Sequence, residues 1–224
     1  MPELPEVETV RRELEPALVG ATIVRARRVD APAGPKYQHL GRAAGQRILA
    51  VARRGKFLLL PLSRGDELVI HLGMTGVLGF ERPESHVRAV LELGRKRRPC
   101  LYFRDPRRFG RFLVRRPGEP CGLPTLERLG PEPLEPAFDD AAFGARLRGR
   151  APIKTALLGQ RVVAGVGNIY ADEALWRAGI HPLTPTGRLR PDEISRLRVA
   201  IVEVLRASVA AQGTTFRDYR TVNG

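Results

Sequence analysis

Residues 21–114 break into short apolar runs separated by Gly, Pro and charged turns, whereas the chain after residue 137 spaces its apolar residues as helices do. This change of period, from 2 to about 3.6 residues, constrains the fold more than any other feature: a strand buries alternate residues and a helix buries a stripe. The strand candidates are Thr22–Val29, Arg47–Ala52, Lys56–Pro61, Glu67–His71, Val77–Phe80, Val87–Leu93, Cys100–Phe103 and Arg111–Val114. Short strands with frequent turns predict an antiparallel sandwich or barrel. Ahead of them, Val7, Val10, Leu14 and Leu18 share one face of a helix over 6–18, with Pro5 near its start and Gly20 as a stop. Helices are expected at 138–148, 153–160, 170–178 and 191–211, the last with Ile194, Leu197, Ile201, Val204 and Leu205 on one stripe. The Pro- and Gly-rich stretch 115–136 between the two textures reads as a linker. The expectation is an α+β chain of two domains: a β-rich domain over 1–114 and a helical domain over 137–224.

Charge narrows the partners. Lys and Arg number 38 against 24 Asp and Glu, a formal net charge of +14. Such a balance calls for a polyanion, nucleic acid ahead of an anionic membrane surface. No apolar run approaches the roughly 18 residues of a membrane span, and no basic amphipathic helix is evident. Cys100 and Cys121 form neither a CxxC pair nor any metal-ligand spacing, so the residues predict no metal site and a reducing, cytosolic setting.

Several segments could carry chemistry. Pro2 follows Met1, and removal of the initiator Met would leave a free secondary amine. An α-amine titrates at about 7.7–8.0, so a fair fraction is unprotonated at neutral pH and can attack a sugar C1′ to form an iminium. Glu3 and Glu6 stand close in sequence, Glu3 as a general acid/base and Glu6 in support. Read alone, Pro2 and Pro5 set nothing more than a helix entry. In HLGMTG (71–76) a Gly-flanked turn presents Met74, either as a core residue or as a wedge for a base stack emptied by a flipped nucleotide. In RDPRRFG (104–110) Arg107 and Phe109 lie two apart and face one side of an extended loop; the alternative is a charged hairpin tip with one buried Phe.

In GQRVVAGVGNIYADEALWRAGIHP (159–182), Gly165, Gly167 and Asn168 form a turn between helices. The first amides of the second helix, with the Asn168 side chain, make a natural phosphate site. Such a helix–two-turn–helix pattern grips backbone phosphates without reading base edges. Lys56 opens a strand after a Gly turn and Lys154 sits in the first turn of a helix, where a cation is disfavoured unless an anion is near. In isolation both read as solvated surface lysines.

Together, MPELPEVETVRREL, GKFLLL, HLGMTG, YFRDPRRFG, RLGPEPL, IKTALL and VAGVGNIYADEALWRAGIHP resemble the bacterial formamidopyrimidine-DNA glycosylase family, in that family's order over nearly the whole chain. The resemblance implies an N-terminal β-sandwich flanked by helices, a helical domain, and DNA in the cleft between them. It implies Pro2 as the Schiff-base nucleophile, Glu3 as the proton donor and Lys56 as the lysine tied to elimination. It also implies Met74, Arg107 and Phe109 as the void-filling set, and Asn168, Lys154 and Arg150 as phosphate contacts. A family HxH reads ESH here, with His86 retained and Glu84 in the other place, so His86 ranks last among the DNA contacts. PELPE, Met74 and RRFG favour the class acting on oxidised purines over the related class acting on oxidised pyrimidines. The implied partner is double-stranded DNA with oxidised bases or abasic sites, bound by a monomer in the bacterial cytoplasm at the nucleoid. The family normally ends in a four-Cys zinc finger carrying one more catalytic Arg, whereas this sequence stops at Asn223–Gly224. No cofactor is therefore expected within this sequence, and one Zn2+ only where such a finger follows it. A non-catalytic module that binds damaged DNA is the reading from another class.

Overall fold

The computed structural model describes residues 1–119 and 123–213. The chain forms two compact units, one built from Met1–Pro2 and Val7–Leu123, the other from Glu3–Glu6 and the chain from Pro124 to the end of the described residues. The architecture is α+β. Helix α1 (Leu4–Leu18) opens it, and Pro16 is accommodated inside the last turn.

The first unit holds two four-stranded antiparallel sheets. β1 (Ile23–Arg28), β6 (Val87–Leu93), β7 (Cys100–Arg104) and β5 (Val77–Gly79) lie in that order in one sheet. β2 (Ala52–Arg54), β3 (Phe57–Pro61), β4 (Glu67–His71) and β8 (Arg111–Arg115) lie in that order in the other. One core joins Ile23, Leu91 and Phe103 of the first sheet to Leu58, Leu60, Ile70 and Phe112 of the second, with Val7, Val10, Leu14 and Leu18 of α1 packed into it. Each such side chain contributes about 1.5–3 kcal/mol on burial, and this shared core makes the pair of sheets a sandwich.

Most strand ranges match their sequence patterns to within a residue; the 47–52 segment does not. It makes isolated bridges, Thr22 with Arg47 and Ile48 with Leu62, and the ladder begins only at Ala52. The backbone of 46–49 is shared between two neighbours: Ile48 N–H donates to Ala21 O and Leu49 N–H to Pro61 O. Two turns matter for the site. The β4–β5 connection carries Met74, and the β7–β8 connection carries Arg107 and Phe109.

The second unit is helical: α2 (Pro124–Glu127), α3 (Asp140–Gly144), α4 (Ile153–Leu158), α5 (Asn168–Ala178) and α6 (Pro191–Ala210). α3 is shorter than the 138–148 expected, because Gly144 ends it and Ala145–Leu147 continue as turns. α6 buries Leu197, Ala200, Ile201, Val204 and Leu205 against a core that includes Tyr170, Ala174 and Leu175 of α5. Leu4 belongs to this core. Among the described residues no helix is long and apolar enough to cross a membrane.

Candidate active site

Pro2 is half-buried at the chain start, after an exposed Met1. Glu3 is buried, and its carboxylate lies on the N-terminus of α5: Oε2 accepts from Gly167 N–H at 2.5 Å and Tyr170 N–H at 3.5 Å, and Oε1 from Ile169 N–H at 2.9 Å. Leu4 N–H donates to Gly165 O at 3.0 Å. Glu6 reaches back one turn, its Oε2 accepting from Glu3 N–H at 2.9 Å, while its Oε1 accepts from the Tyr170 hydroxyl at 2.6 Å. Glu6 thus supplies one half of a capping box at the start of α1, while both carboxylates are fixed by α5.

This arrangement corrects the expectation that the first amides of α5 are open to a phosphate. Three of them are satisfied by Glu3, a partner more than 160 residues away in the chain. An anion at a helix N-terminus is favoured by unpaired N–H groups and the helix dipole, and here the protein supplies that anion itself. Asn168 stands exposed as the first residue of α5. Lys154 also finds its anion inside the protein, with Nζ 2.7 and 2.9 Å from the two carboxylate oxygens of Asp172 on α5. Arg150 is exposed, and its side chain makes no hydrogen bond or ion pair with another described residue.

In the sandwich unit, Lys56 is only 5% exposed, so the solvated-surface reading fails. Gly55 (φ 56°) and Lys56 form the tight turn from β2 into β3. Phe57, next in the chain, pairs across the ladder with His71, the two rings 4.7 Å apart. Burial above all, then the Lys56 and Arg111 cations, push His71 down to about 4. Its imidazole is therefore neutral at physiological pH, with Nδ1 accepting from Gly73 N–H at 3.1 Å. That bond starts the turn that carries Met74.

Met74 and Phe109 are 42% and 48% exposed, and Arg107 is exposed, so neither the core reading of Met74 nor the buried-Phe reading of the hairpin tip survives. The Arg107 guanidinium lies over the Phe109 ring at 4.9 Å, and Lys36 Nζ approaches the same ring at 6.0 Å while donating to Arg108 O at 2.6 Å. The two turns meet where Gly73 (φ 64°) passes the other backbone; a Cβ there would stand 2.6 Å from Gly110 N. His86 is exposed at the entry to β6, its ring nitrogen Nδ1 2.8 Å from Ser85 Oγ and its carbonyl accepting from Asp105 N–H at 3.0 Å.

Two buried charged residues that hold these turns have no signal in the sequence. Asp105 is fully buried; Oδ1 accepts from the Thr75 hydroxyl and Oδ2 from Gly110 N–H, both at 2.7 Å. Arg88 is 1% exposed, donates through Nε to Asp105 O at 2.8 Å, and through Nη1 holds both the carbonyl and the carboxylate of Asp30. A buried guanidinium is tolerable when its donors are used, and these fix the backbone from which Arg107 and Phe109 project.

Comparison with known proteins decides the family. Residues 1–112 match the formamidopyrimidine-DNA glycosylase N-terminal domain, and residues 129–220 match the formamidopyrimidine-DNA glycosylase H2TH domain. The chain belongs to the formamidopyrimidine-DNA glycosylase family. It is 50% identical over 227 residues to a formamidopyrimidine-DNA glycosylase of Thermus thermophilus, a match covering 100% of this chain and 82% of the relative. The crystal structure of the MutM (Fpg) protein from Thermus thermophilus superposes with a TM-score of 0.92 at 49% identity, covering 100% of this chain and 82% of that one. A Lactococcus lactis Fpg mutant in complex with a Fapy-dG containing DNA gives a TM-score of 0.85 at 33% identity, covering 98% and 83%. Members of this family are enzymes, DNA glycosylases of base-excision repair.

Proposed function

We propose that this chain excises oxidised purines, 8-oxoguanine and formamidopyrimidines, from duplex DNA and nicks the resulting abasic site by β,δ-elimination through a Pro2 Schiff base. The observation that carries the reading is the adjacency, in one peptide, of a half-exposed Pro2, whose nitrogen becomes a ring amine once Met1 is removed, and a carboxylate at Glu3 held by three backbone amides. The Lactococcus relative bound to Fapy-dG containing DNA supports the purine substrate.

The steps follow from the chemistry of those groups. Removal of Met1 frees the Pro2 nitrogen, which attacks C1′ as the glycosidic C–N bond breaks. Glu3 moves the proton that the departing base needs. The Pro2 nitrogen then loses its proton and the C1′–O4′ bond opens, O4′ leaving with a proton from Glu3, so that C1′ is held as an iminium; this acidifies C2′–H, whose loss expels the 3′ phosphate, and a second elimination expels the 5′ phosphate. Lys56, a buried cation beside a neutral His71, suits a phosphate near the reacting sugar. Flipping a base out costs roughly a few kcal/mol. Met74, Arg107 and Phe109 offset part of that cost by filling the hole, with Arg107 facing the base left behind. Arg150, Lys154 and Asn168 contact backbone phosphates, Lys154 by exchanging Asp172 for DNA, with His86 a weaker contact.

Among the described residues no group of three or more His, Cys, Asp or Glu is placed to hold a metal ion; Cys121 and the tail segment DYRTVNG lie outside them. We place the protein as a monomer in the bacterial cytoplasm, acting on the nucleoid. The test is excision from matched duplexes carrying 8-oxoguanine opposite cytosine or thymine glycol opposite adenine. Preference for the first supports the purine reading. Preference for the second replaces it with the oxidised-pyrimidine reading, and binding to both without cleavage replaces it with a damage-binding module.

A further inference from the structure

We infer that Thr75 and Asp105 are positioning residues that clamp the Met74 turn to the Arg107–Phe109 turn, so that the void-filling set enters DNA as one preassembled unit. The inference rests on the function proposed above. Met74 comes from the β4–β5 connection, while Arg107 and Phe109 come from β7–β8, so the spacing of the set depends on what joins two separate turns. The Thr75 hydroxyl makes that join. It donates to Asp105 Oδ1 at 2.7 Å and accepts from Arg107 N–H at 3.3 Å, and it is the neighbour of Met74 in the chain. Asp105 completes the bracket by accepting Gly110 N–H at 2.7 Å, one residue beyond Phe109.

Asp105 is fully buried, so it acts on DNA only through the residues it holds. Side chains that must fill a gap of fixed size lose conformational freedom when they enter it, and a turn already held in place has less to lose.

Thr75→Val keeps the shape and removes both hydrogen bonds; Thr75→Ser restores the hydroxyl; Asp105→Asn leaves one acceptor where two are used. Excision of 8-oxoguanine from duplex DNA should fall about tenfold or more in Thr75→Val and Asp105→Asn, the scale of one lost charge-assisted hydrogen bond, and return to within about twofold in Thr75→Ser. Borohydride trapping on a single-stranded abasic oligonucleotide, which has no stack to fill, should stay at the wild-type level in all three. Equal excision by Thr75→Val and wild type, or an equal fall on both substrates, would overturn the clamp. Amide hydrogen exchange reads the clamp without catalysis. Gly110 should be protected in the wild type and exchange at least about tenfold faster in Asp105→Ala, which leaves it no acceptor. An unprotected Gly110 in the wild type also overturns it, whereas a protected Gly110 in a protein that traps no DNA faults only the proposed function.

Discussion

Gly167→Ala should unseat the Glu3 carboxylate. A Cβ at Gly167 would lie 2.3 Å from Glu3 Cδ, 2.5 Å from Oε1 and 2.7 Å from Cγ. No real Cβ tolerates such contacts, so the side chain must leave and the amides of Gly167, Ile169 and Tyr170 lose their acceptor. Losing an N-cap costs about 0.5–2 kcal/mol, and hydrogen bonds to a charged group contribute about 1.5–3 kcal/mol each. Against this, Ala at an extended φ of −120° gains about 0.4–1 kcal/mol by restricting the unfolded chain. The loss wins, and the net is a destabilisation of about 3.5 kcal/mol or more, a fall in Tm of roughly 7 °C or more. Because Glu3 is also the proposed proton carrier, single-turnover excision should drop with it. Urea unfolding measures the first effect, and single-turnover kinetics on an 8-oxoguanine duplex the second. Gly41→Ala, with nothing within 4 Å of the added Cβ, is the control and should leave stability unchanged or raise it by up to about 1 kcal/mol. A Gly167→Ala protein as stable and active as that control would refute the cap.

The half-buried His71 makes stability depend on pH. Its folded-state value of about 4 lies below the ordinary 6.5, so the unfolded chain takes up the proton first. Stability should be flat above about pH 7.5, fall as pH drops through 6.5, and level off below about 4 after losing up to about 3 kcal/mol. His71→Gln, which keeps an acceptor for Gly73 N–H, should lack this component in urea titrations at stepped pH. Lys154→Ala should shift stability by less than about 1 kcal/mol, because the Asp172 pair is partly exposed. The same variant should lower the slope of log affinity against log salt by about 1 in DNA-binding titrations. An unchanged slope would mean that the ammonium stays on Asp172 when DNA binds.

The residue pattern shows the elements well because burial in strands and helices is local and periodic. The runs Glu67–His71 and Val87–Leu93 are legible as strands because their ends are marked by turns. The 47–52 segment misleads for the converse reason: an apolar run fixes burial, but whether it forms a ladder depends on which neighbours share its backbone. Chemistry at Met74, Arg107 and Phe109 is visible as residue types, and their exposure is not, since an exposed and a buried Met look alike in sequence. The cap by Glu3, the Lys154–Asp172 pair and the Thr75–Asp105 clamp are illegible. Each joins residues distant in the chain, and a local reading of GVGN or of a lysine in a first helical turn registers only an unmet need for an anion.

The mechanism stands on the identity of the nucleophile. Active protein should be incubated with an 8-oxoguanine duplex, reduced with borohydride, digested, and the DNA-bearing peptide sequenced by mass spectrometry. The expected product is a reduced adduct on the nitrogen of Pro2 at a mature N-terminus freed of Met1. An adduct on a lysine, or full excision activity with Met1 retained and no adduct formed, would contradict it.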